Sequence, residues 1–386
     1  MFFTTFLLAL MAAAAAATPV TPQARQVAMP VKRKANFTSI KNIVDKGHAR
    51  ISAINKGSNA KRQSSGTVTN EDVTYVAPVT VGGATWDLIV DTGSSNLWCG
   101  ASSSCEPTST GSSTGDSVSV SYGSGSFSGT EYTDTVTFAG LTVDSQSLGS
   151  ASSSSGFSGV DGIIGFGPVD LTEDTVSNTD TVPTFMNNLY SQGSISTEVL
   201  GVSFSPESGS DSDDANGVLT LGGTDSSRYT GSITYFPTLT SGTASSYWGI
   251  SIASFTYGSS TLATSGSGIV DTGTTLIYIP TSAYNKFLDD AGGETDSSSG
   301  LAKFTTKPTS NFGIKFGSTT YTLTPSQYLV PTDQYSYYGL NSGSYYSWIG
   351  DGGSSGVDTI IGQKFLENYY SVFDTTNSRI GFAAAA

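Results

Sequence analysis

A duplicated motif is the strongest constraint on how this chain folds. The run Leu-Ile-Val-Asp-Thr-Gly-Ser-Ser at 88–95 is echoed by Gly-Ile-Val-Asp-Thr-Gly-Thr-Thr at 268–275, so that Asp91 and Asp271 stand 180 positions apart. A second pair of runs, Asp-Gly-Ile-Ile-Gly at 161–165 and Asp-Thr-Ile-Ile-Gly at 358–362, occurs in the same order. Two different motifs that recur in one order predict two duplicated lobes rather than chance similarity.

The repeated Asp-Thr-Gly also indicates a reaction chemistry. In each copy an apolar run typical of a buried strand leads to the aspartate, and the glycine permits a tight turn that other residues resist. Lobes related by a pseudo-twofold axis bring Asp91 and Asp271 face to face. Two carboxylates at hydrogen-bond distance share one proton, so that one is a base and the other an acid. Such a dyad can hydrolyse an amide through water, without metal, histidine or a covalent intermediate.

The charge distribution divides the chain at Arg62. Residues 1–62 carry ten Lys or Arg and one acid, a net +9, whereas the remainder carries seven bases and 30 acids, a net −23. The one histidine, His48, lies in the basic part, which excludes Ser-His-Asp catalysis, Cys-His catalysis and His-ligated zinc after Arg62. We therefore expect no metal and no other cofactor. An acidic body repels phosphates, so nucleic acid is not expected as a partner.

The first 62 residues predict two removable segments. Residues 1–17 are mostly apolar, end in alanines and predict a secretory signal peptide, with a membrane anchor as the alternative. Residues 18–62 predict a basic activation pro-segment that ends at the Lys61-Arg62 pair or by about residue 70, with a basic linker or tail as the alternative. Apolar residues at 37, 40, 43 and 44 predict a helix there, and Asn36 begins the one glycosylation sequon. We expect a secreted, extracellular product that does not span a membrane.

The remaining sequence predicts two all-β lobes. Short runs rich in β-branched and aromatic residues, separated by Gly, Ser and Asp clusters, continue from Gly66 to the C-terminus. Helical windows are few and cover 182–192, 282–291 and 363–369. We predict an N-terminal catalytic lobe over 63–198, then inter-lobe strands and a C-terminal catalytic lobe over 199–386, with an active-site cleft between the lobes.

Several further runs, taken with the Asp-Thr-Gly repeats, point to a known family. Ser-Tyr-Gly-Ser-Gly-Ser at 121–126 is a glycine-rich run, and the run at 369–383 ends in Arg-Ile-Gly-Phe-Ala. Together these motifs resemble the pepsin-like aspartic proteases over nearly the whole chain after residue 17, most closely the secreted fungal polyporopepsin type. The resemblance implies the bilobal pepsin-like fold with small helices. It also implies an acid endopeptidase, made as a zymogen, that prefers hydrophobic residues flanking the scissile bond.

The resemblance assigns expected roles to individual residues. Those implied to build the catalytic centre are the dyad Asp91 and Asp271, the cross-bonding Thr92 and Thr272, and Ser94, whose hydroxyl bonds a carboxylate. Those implied to bind substrate are the flap residues Tyr122, Gly123 and Ser124, the cleft residues Gly93, Gly273 and Thr274, and the apolar Ile89 and Ile163. Trp98 is implied to hydrogen-bond the flap tyrosine.

The two cysteines, Cys99 and Cys105, are separated by five residues. In a secreted protein such an even pair is expected to form a disulfide, and free buried thiols are the alternative. Many of the proteases that the chain resembles carry a disulfide in the C-terminal lobe, but this chain has no cysteine there. Disulfide stabilisation is therefore expected in the N-terminal lobe alone.

Three functions remain open on the sequence. The leading one is a monomeric endopeptidase that acts on protein and peptide substrates, is inhibited by its own pro-segment within the chain, and is inhibited by pepstatin-like molecules. A non-catalytic binding protein of the same fold is disfavoured because both Asp-Thr-Gly motifs are whole. A glycosidase also uses two carboxylates, but these stand about 5 Å or more apart on unlike motifs.

Two other patterns have both a functional and a structural interpretation. The tyrosine-rich run at 335–346 predicts a cleft-edge or interface loop, with a carbohydrate-binding platform as the alternative. Asp211, Asp213 and Asp214 predict a solvated acidic loop, because the spacing of a calcium-binding EF-hand does not follow.

Overall fold

Strands arranged in three sheets form most of the structure. The computed structural model describes residues 26–36, 39–56, 72–106, 109–207 and 216–386. The predicted signal peptide, the Lys61-Arg62 pair and the acidic run at 211–214 lie outside the described residues. The abundance of strand and the short helices confirm the prediction of an all-β chain.

The largest sheet has thirteen strands and contains the N-terminal lobe and the inter-lobe strands, in the spatial order β11-β23-β22-β9-β10-β1-β2-β3-β8-β4-β7-β6-β5. Its strands are β1 (Val27–Asn36), β2 (Asp72–Val81), β3 (Ala84–Asp91), β4 (Leu97–Cys99), β5 (Ser112–Ser121), β6 (Ser126–Phe138), β7 (Leu141–Ser155), β8 (Gly162–Gly165), β9 (Val199–Ser203), β10 (Gly217–Leu221), β11 (Tyr229–Pro237), β22 (Tyr369–Asp374) and β23 (Arg379–Ala385).

The C-terminal lobe contains the other two sheets. The seven-stranded sheet comprises β12 (Gly249–Tyr257), β13 (Ser260–Val270), β14 (Ile277–Ile279), β17 (Phe312–Phe316), β18 (Thr319–Leu323), β20 (Ile349–Asp351) and β21 (Ile360–Ile361). The three-stranded sheet comprises β15 (Gly293–Thr295), β16 (Ala302–Phe304) and β19 (Tyr345–Ser347).

The helices are short except for the first, and each of the three predicted windows overlaps one. They are α1 (Ile40–Lys56), α2 (Phe185–Ser191), α3 (Thr281–Ala291), α4 (Pro325–Tyr328), α5 (Tyr335–Tyr338) and α6 (Gln363–Leu366). Short 3₁₀ turns cover Val169–Thr172, Ser226–Arg228, Thr243–Ser246 and Thr332–Gln334.

The two sequence echoes correspond to one local arrangement built twice. β3 pairs in parallel with β8, and β13 pairs in parallel with β21. In each lobe a short strand, β4 or β14, then pairs antiparallel with β8 or β21. The aspartate of each Asp-Thr-Gly therefore emerges at the end of a buried strand that is flanked on both sides. This repetition confirms the prediction of two duplicated lobes.

The predicted pro-segment is integrated into the fold rather than lying on its surface. β1 is an interior strand of the thirteen-stranded sheet, paired antiparallel with β10 on one side and with β2 on the other. α1 buries an apolar stripe that includes Ile43, Val44, Ile51 and Ile54. The helix is closely docked at Gly47, where a side chain would collide with the ring of Tyr278. Strand pairing and apolar burial thus add to the charge attraction expected from the sequence.

Charged residues are buried where β1 meets the C-terminal lobe. The guanidinium of Arg33 is only 1% exposed, forms an ion pair with Glu207 and donates a hydrogen bond to the Tyr338 hydroxyl at 3.1 Å. A second buried pair, Lys364 and Glu367, lies at 2.9 Å. Buried ions are tolerated when they are paired and hydrogen-bonded. β1 therefore contributes one cation to a charge cluster in the interior.

Three of the five tyrosines in the run at 335–346 are buried. Tyr335, Tyr338 and Tyr346 are at most 6% exposed and belong to an apolar cluster that also contains Ile40 and Val44 of α1. A carbohydrate platform requires exposed ring faces, so this arrangement favours the interface loop. The element across that interface is α1, which lies in the predicted pro-segment.

Cys99 and Cys105 form a disulfide, with their Cα atoms 5.6 Å apart. Cys99 is the last residue of β4, so the bridge closes a small loop immediately after the strand that follows the first Asp-Thr-Gly. The expected pairing is therefore present. Asn36 is the last residue of β1, and the other two residues of its sequon lie outside the described residues.

Candidate active site

The two Asp-Thr-Gly loops are matched in their hydrogen bonds. In the first, the Gly93 amide donates to Asp91 Oδ1 at 2.9 Å and the Ser94 hydroxyl donates to Oδ2 at 2.6 Å. In the second, Gly273 and Thr274 donate to the same atoms of Asp271 at 2.9 and 2.6 Å. Both aspartates are at most 1% exposed. Each carboxylate is thus fixed in orientation by its own loop, with Oδ1 directed toward the opposite lobe.

Two threonines join the loops across the lobe boundary. The Thr92 amide donates to the Thr272 hydroxyl at 2.9 Å, and the Thr272 amide donates to the Thr92 hydroxyl at 3.0 Å. Each hydroxyl in turn donates to the carbonyl that precedes the opposite aspartate, that of Val270 or Val90. These four reciprocal bonds are buried and hold the two strand ends in one fixed relation.

Glycine is required at positions 93 and 273 because a side chain would not fit there, and not because of the backbone dihedral angles. A Cβ on Gly93 would lie 2.6 Å from Oδ1 of Asp271, and a Cβ on Gly273 would collide with Oδ1 of Asp91. Any side chain at either position would push the opposite carboxylate away. The glycines therefore allow the two aspartates to approach one another.

Arg50 of α1 occupies the space between the two carboxylates. Its Nη2 lies 2.6 Å from Asp91 Oδ1 and 3.0 Å from Asp271 Oδ1, and its Nε lies 2.6 Å from Asp271 Oδ2. Burial alone would lower the pKa of Arg50, but the charges of Asp271 and Asp91 outweigh it and raise that pKa. One guanidinium thus contacts both aspartates.

The two carboxyls are electrostatically unequal. Burial raises the pKa of each, but the charge of Arg50 and the hydrogen bonds from Ser94 and Gly93 hold the pKa of Asp91 below its ordinary value. For Asp271, burial and the charge of Asp91 together outweigh Arg50 and raise the pKa above its ordinary value. Pairs whose environments separate their pKa values are suited to divided acid and base roles.

The predicted flap is the hairpin between β5 and β6. The Tyr122 amide donates to the Gly125 carbonyl at 2.7 Å, and Gly123 adopts the left-handed backbone conformation with φ of 79°. The hairpin lies over α1, because a Cβ on Gly123 would contact Ala53 of the helix at 2.9 Å. Ser124 is buried at the tip. The hairpin therefore covers α1, which lies between it and the aspartates.

Trp98 and Tyr122 stack with ring centroids 6.4 Å apart, but the structure does not join them by the expected hydrogen bond. Among the described residues the indole Nε1 of Trp98 has no hydrogen-bond partner. Phe157 packs edge-on against both rings, at 4.8 Å from Trp98 and 5.5 Å from Tyr122. Phe157 and the helix under the hairpin thus set the position of the tyrosine in this structure.

Ile89 and Ile163 lie side by side on β3 and β8 and belong to the same apolar cluster as Trp98, Tyr122 and Phe157. They are at most 5% exposed. The two isoleucines predicted to form an apolar pocket are therefore packed in an apolar cluster under the flap, next to the first Asp-Thr-Gly loop.

Sequence reasoning did not single out two residues that organise this centre. The side-chain Nε2 of Gln363 donates to the Thr272 carbonyl at 2.9 Å, and its backbone N–H donates to the Thr274 carbonyl at 2.7 Å. Both bonds support the second Asp-Thr-Gly loop. Arg50 had a detectable signal. It follows Ile43 and Gly47 on the buried stripe of α1, and a cation on an apolar helix face indicates a buried anionic partner.

No group of three or more His, Cys, Asp or Glu side chains in the described ranges is arranged to hold a metal ion. Over the same ranges, no helix has both the length and the apolar composition that crossing a membrane requires.

Two β lobes joined at a pair of Asp-Thr-Gly loops beneath a hairpin define an aspartic-type endopeptidase. The sequence comparisons agree, because the model of the family described as eukaryotic aspartyl protease matches residues 74–385, and the chain belongs to that family. It is 50% identical to polyporopepsin of Irpex lacteus over 329 residues, which cover 82% of this chain and 96% of that protein. It is 32% identical to pepsin A of Sus scrofa, with 82% of each chain covered.

Comparison with solved structures gives the same family. The crystal structure of the aspartic proteinase from Irpex lacteus matches with a TM-score of 0.79 and 42% identity, covering 94% of this chain and 98% of that one. The predicted resemblance to pepsin-like aspartic proteases is confirmed.

Proposed function

We propose that this chain is the zymogen of a secreted aspartic endopeptidase that works at acidic pH through Asp91 and Asp271. The observation that carries the proposal is Arg50, whose guanidinium contacts both carboxylates within 3.0 Å from a segment that precedes the catalytic lobes. A cation at that point occupies the position that the attacking water needs. The uncut chain is therefore inactive, and residues 18–62 act as its intramolecular inhibitor.

The proposed reaction begins once Arg50 has left. A water molecule held between the carboxylates gives a proton to the ionised aspartate as its oxygen attacks the peptide carbonyl carbon. The protonated aspartate donates to the carbonyl oxygen, and the tetrahedral intermediate then breaks when the amine leaving group receives a proton. Once Arg50 has left, the two carboxyls share one proton, so that one aspartate is the base and the other the acid in the first step.

Acid is the proposed trigger for activation. A carboxyl whose pKa is lowered by a cation contributes stability at higher pH, and that contribution is lost as pH falls through the lowered pKa. Asp91 is in this position with respect to Arg50. Acidification thus removes the ion pair that holds α1 over the dyad. The flap residues Tyr122, Gly123 and Ser124 are then free to close on a peptide instead.

The proposed substrates are proteins and peptides with hydrophobic residues flanking the scissile bond. The buried Ile89 and Ile163 under the flap support that preference. Pepstatin-like molecules are the expected inhibitors and a monomer the expected state. Extracellular location rests on the predicted signal peptide at 1–17 and on the likeness to polyporopepsin.

Purified zymogen held at neutral and at acid pH, with its mass followed over time, tests the proposal. Wild type should shorten only in acid, and Asp271→Asn should remain uncut. Arg50→Gln should be processed at higher pH than wild type, whereas Lys56→Gln, an exposed change at the end of the same helix, should not differ. Processing of Asp271→Asn at the wild-type rate would refute self-cleavage.

A second measurement separates the three functions. Hydrolysis of denatured haemoglobin or casein in acid, abolished by pepstatin and by Asp91→Asn, is expected for the protease. A binding protein would retain pepstatin without hydrolysing protein. A glycosidase would release sugar from a glycoside regardless of pepstatin.

A further inference from the structure

The C-terminal end of α1 is joined to the C-terminal lobe by one side chain, that of Asn55. Its Nδ2 donates to the carbonyl of Ser355 at 3.1 Å and to that of Val357 at 2.9 Å. Its Oδ1 accepts from the backbone N–H of Val357 at 2.6 Å. One carboxamide thus pairs with an N–H and two C=O groups of the loop at 352–359, which connects β20 to β21.

This loop is shaped to receive the carboxamide. Gly356 adopts the left-handed backbone conformation with φ of 68°, and a Cβ there would collide with Oδ1 of Asn55. Val357 is 1% exposed and belongs to the same apolar cluster as Ile54, the neighbour of Asn55 on α1. Asn55 itself is an exposed residue. Its hydrogen bonds therefore form the edge of a packed apolar contact between helix and loop.

The bonds of Asn55 differ from those of Arg50 in their response to acid. The partners of Arg50 are Asp91 and Asp271, two carboxyls that take up protons as pH falls. The partners of Asn55 are main-chain groups of the loop, and neither these groups nor a carboxamide changes its charge in acid. Acidification thus weakens the contact of α1 with the dyad and leaves the contact with the loop intact.

Ionisable side chains near Asn55 do not take part in its bonds. On the helix and on the segment that faces it, they are His48, Lys56, Asp351 and Asp358. The Nε2 of His48 lies 2.9 Å from the Asp351 carbonyl oxygen, and the Asp351 carboxylate accepts from the Thr281 hydroxyl. Burial raises the pKa of Asp358, whose carboxyl accepts from its neighbour Thr359. A change of charge at these groups therefore leaves the partners of Asn55 in place.

We propose that Asn55 is an anchor of the pro-segment that acid does not release. After protonation of the dyad has broken the Arg50 ion pairs, the Asn55 bonds still hold the end of α1 on the C-terminal lobe and set how fast the cleft opens. An uncut chain exposed briefly to acid can therefore close again when neutral pH returns. The inference rests on the proposed zymogen and adds a pH-independent contact to its regulation.

Amide hydrogen exchange in a chain that cannot cut itself isolates the anchor. Asp91→Asn combined with Asp271→Asn removes both carboxylates that contact Arg50, as protonation does in wild type, and also prevents self-cleavage. In this background Asn55→Ala should speed exchange about tenfold in peptides that cover the end of α1 and the loop. That size is expected for the loss of the bonds of one exposed carboxamide.

Two controls exclude other causes. Ser52→Ala makes the same kind of change at another exposed position of α1 and should leave exchange as it is in the background. Asp358→Asn removes the ionisable group that directly follows Val357 and should likewise leave it unchanged. Thermal unfolding of every variant shows whether it is folded.

Asn55→Asp in the same background tests the hydrogen bonds themselves. A protonated carboxyl can donate to a loop carbonyl and accept from the backbone N–H, as the carboxamide does, whereas an ionised one loses its donor and faces carbonyl oxygens. Exchange should be within about twofold of the background at about pH 3 and about tenfold faster at about pH 7. An equal increase at both pH values would contradict the assigned bonds.

Processing of the chain with both aspartates intact gives a second readout. In the mass assay in acid, Asn55→Ala should be processed about tenfold faster than wild type, because the cleft opens faster. Once cut, both proteins lack residue 55 and should hydrolyse a peptide at the same rate.

Failure of the anchor and failure of the proposed function are distinguishable. If Asn55→Ala exchanges no faster than Ser52→Ala, or is processed at the wild-type rate, the anchor is overturned while the proposed hydrolysis stands. If the wild-type chain is not shortened in acid, the proposed zymogen is overturned and the role of the anchor in its activation with it.

Discussion

Glu131 gives a quantitative prediction about stability at neutral pH. Its side chain on β6 is 3% exposed and accepts a hydrogen bond from the Ser147 hydroxyl. Burial raises the pKa of Glu131 to about 7 against the opposing effect of Ser147, and the charge of Asp116 raises it further. At acid pH this carboxyl is protonated and is accommodated in the lobe, whereas at neutral pH the folded protein must hold it as an anion.

The sign and size of the effect follow from linkage. The pKa of Glu131 is about 7 in the folded protein, and its ordinary value is 4.5. This difference in pKa corresponds to about 3 kcal/mol in the free energy of unfolding. Because the folded pKa is the higher one, the stabilisation is fully present below about pH 4.5 and is lost as pH rises through about 7. The N-terminal lobe should therefore be a less stable structure in neutral solution than in acid.

Glu131→Gln tests this reasoning. The amide oxygen can still accept from Ser147, but the side chain can no longer ionise. Urea unfolding of the full chain at about pH 4 and about pH 8 should show no gain in the first case and a gain of about 3 kcal/mol in the second. Both measurements use an Asp271→Asn background so that self-cleavage does not interfere.

A matched control is Glu106→Gln. Glu106 also accepts a hydrogen bond from a serine hydroxyl, that of Ser104, at 2.6 Å, but it is exposed. It should change stability little at either pH. If Glu131→Gln gained equally at both pH values, or gained less than about 1 kcal/mol at the higher one, ionisation of Glu131 would not be the cause.

Three other substitutions have defined outcomes. Thr272→Ala removes the hydroxyl that bonds across the lobes at 2.9 and 3.0 Å, so it should lower the free energy of unfolding by about 3 kcal/mol and also lower kcat. Thr272→Ser keeps the hydroxyl and should restore both values. Equal losses in the two variants would contradict the hydroxyl's role. Gly47→Ala places a methyl group against Tyr278 and should weaken the docking of α1, so the mass assay should show processing at higher pH than in wild type. An unchanged pH dependence of processing would mean that the helix docks elsewhere. Replacing Cys99 and Cys105 by serine should lower the unfolding free energy by about 2 kcal/mol in a thermal or urea assay, and no loss would mean that this small loop needs no bridge.

Much of the fold could be predicted because the same two motifs occur twice in the sequence. The Asp-Thr-Gly and Ile-Ile-Gly runs identified the strand ends that meet at the lobe boundary, and β3, β8, β13 and β21 are found there. Turn residues and β-branched runs located most other strands. Local patterns of this kind specify elements, since side-chain alternation and glycine turns act over a few residues.

What sequence reasoning could not supply depends on contacts between distant segments. Arg33 was one of ten early cations, and only the fold brings it to Glu207, 174 positions away. Phe157 carries no motif, yet it packs against the flap tyrosine. Gln363 directly follows the second Ile-Ile-Gly run, but nothing in the sequence shows that its side chain supports the second catalytic loop. Arg50 could have been predicted more easily, because a helical projection of α1 places it on the buried face.

The interior position of β1 has a consequence for how the enzyme comes to exist. This strand pairs on both sides, with β10 and with β2, and its Arg33 is buried among acidic and aromatic groups of both lobes. If the proposed cleavage removes β1, the chain that folds is longer than the active enzyme. After cleavage, the barrier to unfolding rather than the equilibrium between folded and unfolded chains governs how long the shape lasts. An unfolded chain without β1 would lack the strand that pairs with both β10 and β2, so the proposed mature enzyme is expected to refold poorly once it has unfolded.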